Sequence, residues 1–154
     1  MKKTIAILFL SIIIFSSCEK DDFCIQNPVT PSLVLEFYDA NNRESPKNFS
    51  SITVWSESAE NNDNLFENIT RNKLEIPLNQ FASETVYNFS QNGVVNQFTI
   101  KYSTEEVYVS RSCGFRVIFN DVSFESDNTW ISSFTPQTLT TIDNQNETHV
   151  QIFH

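Results

Sequence analysis

The sequence predicts an all-β chain folded as an antiparallel sandwich of two sheets. Three observations carry that expectation. Nine or ten short runs alternate apolar and polar residues, with Asn, Asp, Ser and Pro clusters between them. No segment sustains the three-to-four-residue apolar period of a helix. Asn92-Gly93 falls between two β-rich runs, the strongest short signal for a hairpin. Short strands at this spacing fit an immunoglobulin-like sandwich, with a small β-barrel as the alternative. Fourteen Phe, four Tyr and two Trp exceed what a disordered chain carries.

Asn27-Pro28-Val29-Thr30-Pro31 is an extended lead-in, because proline restricts itself and its predecessor. Ser32 to Tyr38 is a strand with Leu33, Leu35 and Phe37 on one face, and Asp39-Ala40-Asn41-Asn42 is a turn. Phe49 to Ser56 is a second strand, with Ile52 and Val54 opposite Thr53 and Trp55. Glu57 to Asn64 is a polar, Asn-rich loop. Leu65 to Ile69 fits a short helix or an edge strand equally well. Lys73 to Leu78 is a strand that Pro77 confines to a sheet edge. Thr85 to Ser90 and Asn96 to Ser103 form the arms of the Asn-Gly hairpin, with Tyr87, Phe89, Phe98, Ile100 and Tyr102 facing one way.

Val107 to Phe119 is the longest regular feature. Val107, Val109, Cys113, Phe115, Val117 and Phe119 occupy odd positions, and Arg111 alone breaks that apolar row. One buried and one partly wet face is the antiparallel pattern, and Gly114 marks a bulge. Asn120-Asp121 and Ser126-Asp127-Asn128 punctuate the chain beyond Phe119. Thr129 to Thr135, Thr138 to Ile142 and Thr148 to Phe153 complete the strands.

Residues 1–17 read as an export signal: Lys2 and Lys3, then an apolar run from Ile5 to Phe15 broken only by Ser11, then Ser16 and Ser17. The run is shorter than the roughly 20 residues of a bilayer span. Small residues directly before Cys18 resemble the lipobox of bacterial lipoproteins, although Phe15 stands where Leu is usual. That resemblance implies cleavage before Cys18 and acylation of its thiol and amine. The competing reading is a plain secretory signal with a leftover cysteine. Glu19-Lys20-Asp21-Asp22 resembles the tag that sends lipoproteins to the cell surface in Bacteroidota; otherwise Lys20, Asp21 and Asp22 are a solvated linker. The resulting organisation is a signal at 1–17, a lipid anchor and tether at 18–31, and one β domain at 32–154. The implied address is the outer membrane, facing outward.

The sequence carries ten Lys+Arg against nineteen Asp+Glu. Without Lys2 and Lys3, eight cations face nineteen acids, a net charge near −11. Such a chain repels phosphate backbones and lacks a polybasic membrane patch, which argues against nucleic-acid partners. With Cys18 committed to lipid, Cys24 and Cys113 remain in a compartment where disulfides persist, and a bridge between them is expected. Two free buried thiols are the alternative.

Catalytic motifs are missing from the sequence: no Gly-rich phosphate loop, Gly-x-Ser-x-Gly elbow or His-Glu-x-x-His. His149 and His154 lie five apart on a terminal strand, hence on opposite faces, and read as surface histidines rather than metal ligands. No cofactor is expected. Glu105-Glu106 are solvated acids at a strand entrance. A hydrolase would need two carboxylates at a set separation, which sequence spacing does not test. The Asp/Asn run from Asn61 to Asn64 lacks the ordered spacing of an EF-hand loop. Arg111, on an apolar row, has three readings: an end-of-sheet arginine reaching water, a buried salt bridge, or a ligand contact. Trp55, Tyr108 and Trp130 are candidate binding platforms, with core packing the commoner fate of such rings.

Five pieces together resemble a family of uncharacterised Bacteroidota surface lipoproteins: Cys18 to Asp22 with Cys24, Phe37-Tyr38-Asp39, Val109 to Gly114, Trp130-Ile131, and His149 to Ile152. The resemblance implies a lipid-anchored domain of unknown activity and supplies no catalytic residues. The function class expected is a binding or accessory module, for a glycan or an outer-membrane protein. A structural envelope lipoprotein without a small ligand, or a carboxylate-pair hydrolase, are the alternatives.

Overall fold

The computed structural model describes Cys24, residues 30–57 and residues 64–154. Among these residues ten strands succeed one another in this order: β1 (Leu33–Tyr38), β2 (Ile52–Ser56), β3 (Asn64–Ile69), β4 (Lys73–Ile76), β5 (Glu84–Gln91), β6 (Val94–Ser110), β7 (Gly114–Ser126), β8 (Ser133–Thr135), β9 (Thr138–Ile142) and β10 (Val150–Phe153). They form a four-stranded sheet, β4-β1-β10-β8, and a six-stranded sheet, β3-β2-β5-β6-β7-β9. Neither sheet closes on itself, so the fold is the sandwich and not the barrel.

The chain divides into two compact units. The larger holds residues 30–107 and 116–154 among those described; the smaller holds Tyr108–Phe115 together with Cys24. The larger unit contains the core. Leu33, Leu35 and Phe37 of β1, Leu74 and Ile76 of β4 and Val150 and Ile152 of β10 come from the four-stranded sheet. Ile52, Val54, Tyr87, Phe89, Phe98, Ile100, Tyr102 and Phe119 come from the six-stranded sheet. Each set repeats every second residue, because alternate side chains of a strand share one face.

Most of the ladder is antiparallel, as the sequence predicts. One pair is not: β1 and β10 run parallel, Leu35 opposite Val150 through Tyr38 opposite Phe153. Two strands from the opposite ends of the fold can pair this way because the whole of the larger sheet serves as their crossover. β4 lies at a sheet edge, and the strand stops at Ile76, where Pro77 offers no N–H to continue it. Asn92 (φ 51°) and Gly93 (φ 79°) turn β5 into β6, with Gln91 opposite Val94. Two consecutive positive φ angles define the type I′ turn that Asn-Gly favours.

Three expectations fail, each for a physical reason. The stretch 107–119 is not one strand. Residues 111–113 turn, and Gly114 adopts φ 72°, so the chain reverses where a bulge was expected. The alternation of Val107 and Val109 resumes in phase at Phe115 and Val117, which disguises the reversal. β6 runs unbroken through Thr104-Glu105-Glu106, and β7 runs through Asn120-Asp121. At Asp121 (φ 53°) the inward set switches from odd to even: Phe119 is buried before it, Val122 and Phe124 after it. A left-handed residue shifts the facing set by one in this way, as at a β-bulge. Leu65 to Ile69, which the sequence left open between a short helix and an edge strand, is the edge strand, beside β2. Trp130 and Ile131 pack from a loop, since β8 begins only at Ser133.

Candidate functional site

Cys24 and Cys113 are joined by a disulfide, with Cα atoms 4.8 Å apart. Cys113 sits in the turn between β6 and β7, where its N–H donates to Ser110 Oγ at 3.1 Å. Six residues after Cys24, the Thr30 hydroxyl accepts from Val117 N–H at 3.2 Å. The amino-terminal chain is thus fastened at two points close together in sequence, one just before β7 and one within it. Cys18, Lys20, Asp21 and Asp22 lie outside the described residues, as does the Asn61 to Asp63 part of the acidic run.

The smaller unit carries a pair of exposed rings. Tyr108 is 59% exposed and Phe115 63%, and they meet edge to face at 5.4 Å between centroids. Arg111, exposed in the turn, is not on a buried row. That exposure is at odds with the buried salt bridge among its three readings. Between Glu106 and Asp121 the chain holds no acidic residue and two arginines. The apolar row placed Phe115 inside; only the turn reveals that its ring is exposed.

Trp130 is half-buried and packs against the core. Its indole N–H donates to Phe89 O at 3.1 Å, and its ring packs edge-on against Phe49 at 5.5 Å. Its loop is positioned by Asn96, which is fully buried. The Asn96 amide donates to Ser126 Oγ at 2.9 Å and accepts from Thr129 N–H at 2.9 Å. A buried polar side chain with every group partnered holds structure rather than ligand. Sequence alternation alone could not single it out, because Asn in a strand normally faces water.

Trp55 is half-buried on β2 in the cross-strand row Trp55, Asn88, Gln97. Glu57 Oε1 accepts from Asn88 Nδ2 at 3.3 Å and from Gln97 Nε2 at 2.7 Å. Asn88 is buried in that row, so the indole, the Gln97 amide and the exposed Glu57 carboxylate are what the row presents for stacking and hydrogen bonding. Elsewhere, Phe124, Ser126, Asn128, Ser133, Phe134 and Gln137 line an open depression of about 350 Å³. The charge in its wall is Glu125, which is paired with Lys101. Among the described residues no group of three or more His, Cys, Asp or Glu could hold a metal ion. Among them, too, no helix is long and apolar enough to cross a membrane.

The two histidines are half-buried, not surface residues as expected. Val34 N–H donates to His149 Nδ1 at 2.9 Å, so the ring continues the edge of the ladder in its neutral form. His154 stacks on Phe49 at 4.8 Å, and its buried Nε2 has no hydrogen-bond partner. Burial pushes both below the ordinary histidine value; the Lys47 ammonium adds to the effect at His154. The unfolded chain takes up protons as pH falls through about 6.5, while the folded rings resist. Their contribution to stability is therefore full above that value and is lost as pH falls through the lower folded values. Urea midpoints should fall between pH 7.5 and 5.5, and less steeply in a His149→Gln variant; a flat profile would contradict this.

Together these features define an all-β sandwich with a disulfide-clamped hairpin and no recognisable catalytic centre among its described residues. Residues 51–154 match the family model described as a family of unknown function, DUF6452, and the chain belongs to that family. The match begins just before β2 and takes in every later strand. No curated protein and no solved structure matches the chain.

Proposed function

We propose that the protein is a lipid-anchored lipoprotein of the outer membrane, displayed at the cell surface, and that its sandwich is a binding or accessory module. The observation that carries the reading is the Cys24–Cys113 bridge. Disulfides persist in exported proteins and are rare where thiols are kept reduced. The bridge also accounts for two of the three cysteines and leaves Cys18 for the lipid. Acyl chains contribute about 0.8 kcal/mol per buried CH₂, and stable attachment takes more than one chain, which a multiply acylated terminus supplies. Glu19-Lys20-Asp21-Asp22 supports outward display by its likeness to the Bacteroidota tag. For the binding role, Trp55 with Gln97 and Glu57 supplies a ring and polar groups of the kind that hold a sugar. Rings of that type supply large contact area with a polar handle.

Metabolic labelling with an alkynyl fatty acid tests the anchor. The wild-type chain should take up label and partition with membranes, and a Cys18→Ser variant should do neither. An unlabelled wild-type chain would remove the proposal's foundation. Protease treatment of intact cells reports display, with complete protection counting against it. Affinity electrophoresis in surface polysaccharide reports binding, with retardation expected for the wild type and lost in Trp55→Ala.

A further inference from the structure

We infer that the tip of the β6–β7 hairpin docks on the lipid bilayer, with Tyr108 and Phe115 in the headgroup region and Arg111 beside them. This rests on the lipid anchor proposed for Cys18. Chain length supplies the first argument. Six residues separate Cys18 from Cys24, and a residue spans at most about 3.6 Å, so the bridge lies within about 22 Å of the acylated position. Cys113, on the other side of the bridge, belongs to the tip itself. The disulfide therefore holds the two exposed rings close to a membrane surface, whatever path the tether takes. At that range, attachment acts as a high effective concentration, and even a weak interfacial affinity is enough to hold the tip down.

Chemistry supplies the second argument. Exposed aromatic rings are costly in water, and Tyr combines an apolar body with a polar tip, which suits the membrane–water interface. Phe115 adds apolar area, and Arg111 can keep its head among phosphates while its stem lies along the rings. The stretch between Glu106 and Asp121 carries two arginines and no acid, so an anionic surface repels it less than the chain as a whole. Glu106 limits the depth. It precedes Tyr108 by two strand residues, about 7 Å, and its carboxylate must stay in water. The docking is shallow, and because its main term is apolar it does not require anionic lipid.

The test uses the full lipidated protein in phosphatidylethanolamine vesicles carrying a shallow spin-labelled lipid. A Tyr108→Trp variant places an indole at the tip, and Trp55 and Trp130 of the wild type supply the baseline. Vesicle flotation is measured on the same samples. The variant should float and show lipid quenching and a blue shift that the wild type lacks. Adding Phe115→Ser should lose both signals without loss of flotation. Flotation without extra quenching overturns the docking and leaves the anchor standing. Failure of the wild type to float overturns both. A tip indole shielded from iodide but not quenched by the lipid label means that protein covers the patch, and it overturns the docking as well.

Discussion

Phe98→Ala should destabilise the protein by about 3–5 kcal/mol, the largest single-residue loss expected in this fold. Phe98 lies on β6, between β5 and β7 in the interior of the six-stranded sheet, and none of its surface is exposed. Its ring stacks on Phe124 at 5.9 Å and meets Phe89 at 6.3 Å and Phe134 at 5.3 Å edge to face. Phe134 belongs to β8 of the other sheet, so the ring joins the two layers. Truncation removes the transfer free energy of the ring. It also leaves a cavity that three large rings cannot fill without abandoning their own contacts. Each aromatic pair adds about 0.5–1.5 kcal/mol beyond area burial, and three are lost together. Domains of this size are stable by about 5–15 kcal/mol, so the variant should be only marginally folded at 25 °C. The urea midpoint measures this. Phe115→Ala provides the contrast: its ring is exposed, and the change should stay within about 0.5 kcal/mol. Equal losses at the two positions would mean that the sandwich core is not where the structure places it.

The contrast between these two phenylalanines also shows what could be read from the sequence. Phe98 and its partners Tyr87, Phe89, Ile100 and Tyr102 were legible because a two-residue Asn-Gly turn sets the register between the flanking strands, so alternation assigns every side chain. Phe115 was not. Residues 111–113 hold no dipeptide that demands a tight turn, and the odd-numbered apolar row continues across the reversal. The one local sign was Gly114, and a glycine in a strand pattern signals a bulge or a turn equally well. Long-range pairings were hidden for a different reason. Nothing local to Leu33–Tyr38 marks it as the parallel neighbour of Val150–Phe153. The same holds for Asn96 and His149, whose roles depend on Thr129 and Val34, distant in sequence. The disulfide was legible because counting cysteines needs no geometry.

Cys113→Ser should then cost about 2–5 kcal/mol, second only to the loss of Phe98. The bridge closes a loop between residues 89 apart in sequence, and that loop contains β1 through β6. In the unfolded chain such a closure removes conformational freedom worth about 4.6 kcal/mol on the chain-entropy estimate. The location of the bridge, in the small unit and not in the core, does not reduce this. The entropy is removed from the unfolded state, and the folded state need only keep both cysteines ordered. What does reduce it is structure remaining in the unfolded chain, which already limits how far residues 24 and 113 separate. Cys24→Ser should match Cys113→Ser, and the double variant should be no worse than either, because one bond is lost in every case. Dithiothreitol should bring the wild type to the same urea midpoint and leave the variants unchanged. If the single variants differ from each other by more than about 1 kcal/mol, one of the serines is disturbing the hairpin by itself. Removal of the bridge also lets the tip part from the tether. On lipid vesicles the lipidated Cys113→Ser chain, with Tyr108→Trp as reporter, should still float while its tip quenching falls. That outcome would separate the bridge's effect on stability from its effect on where the hairpin sits.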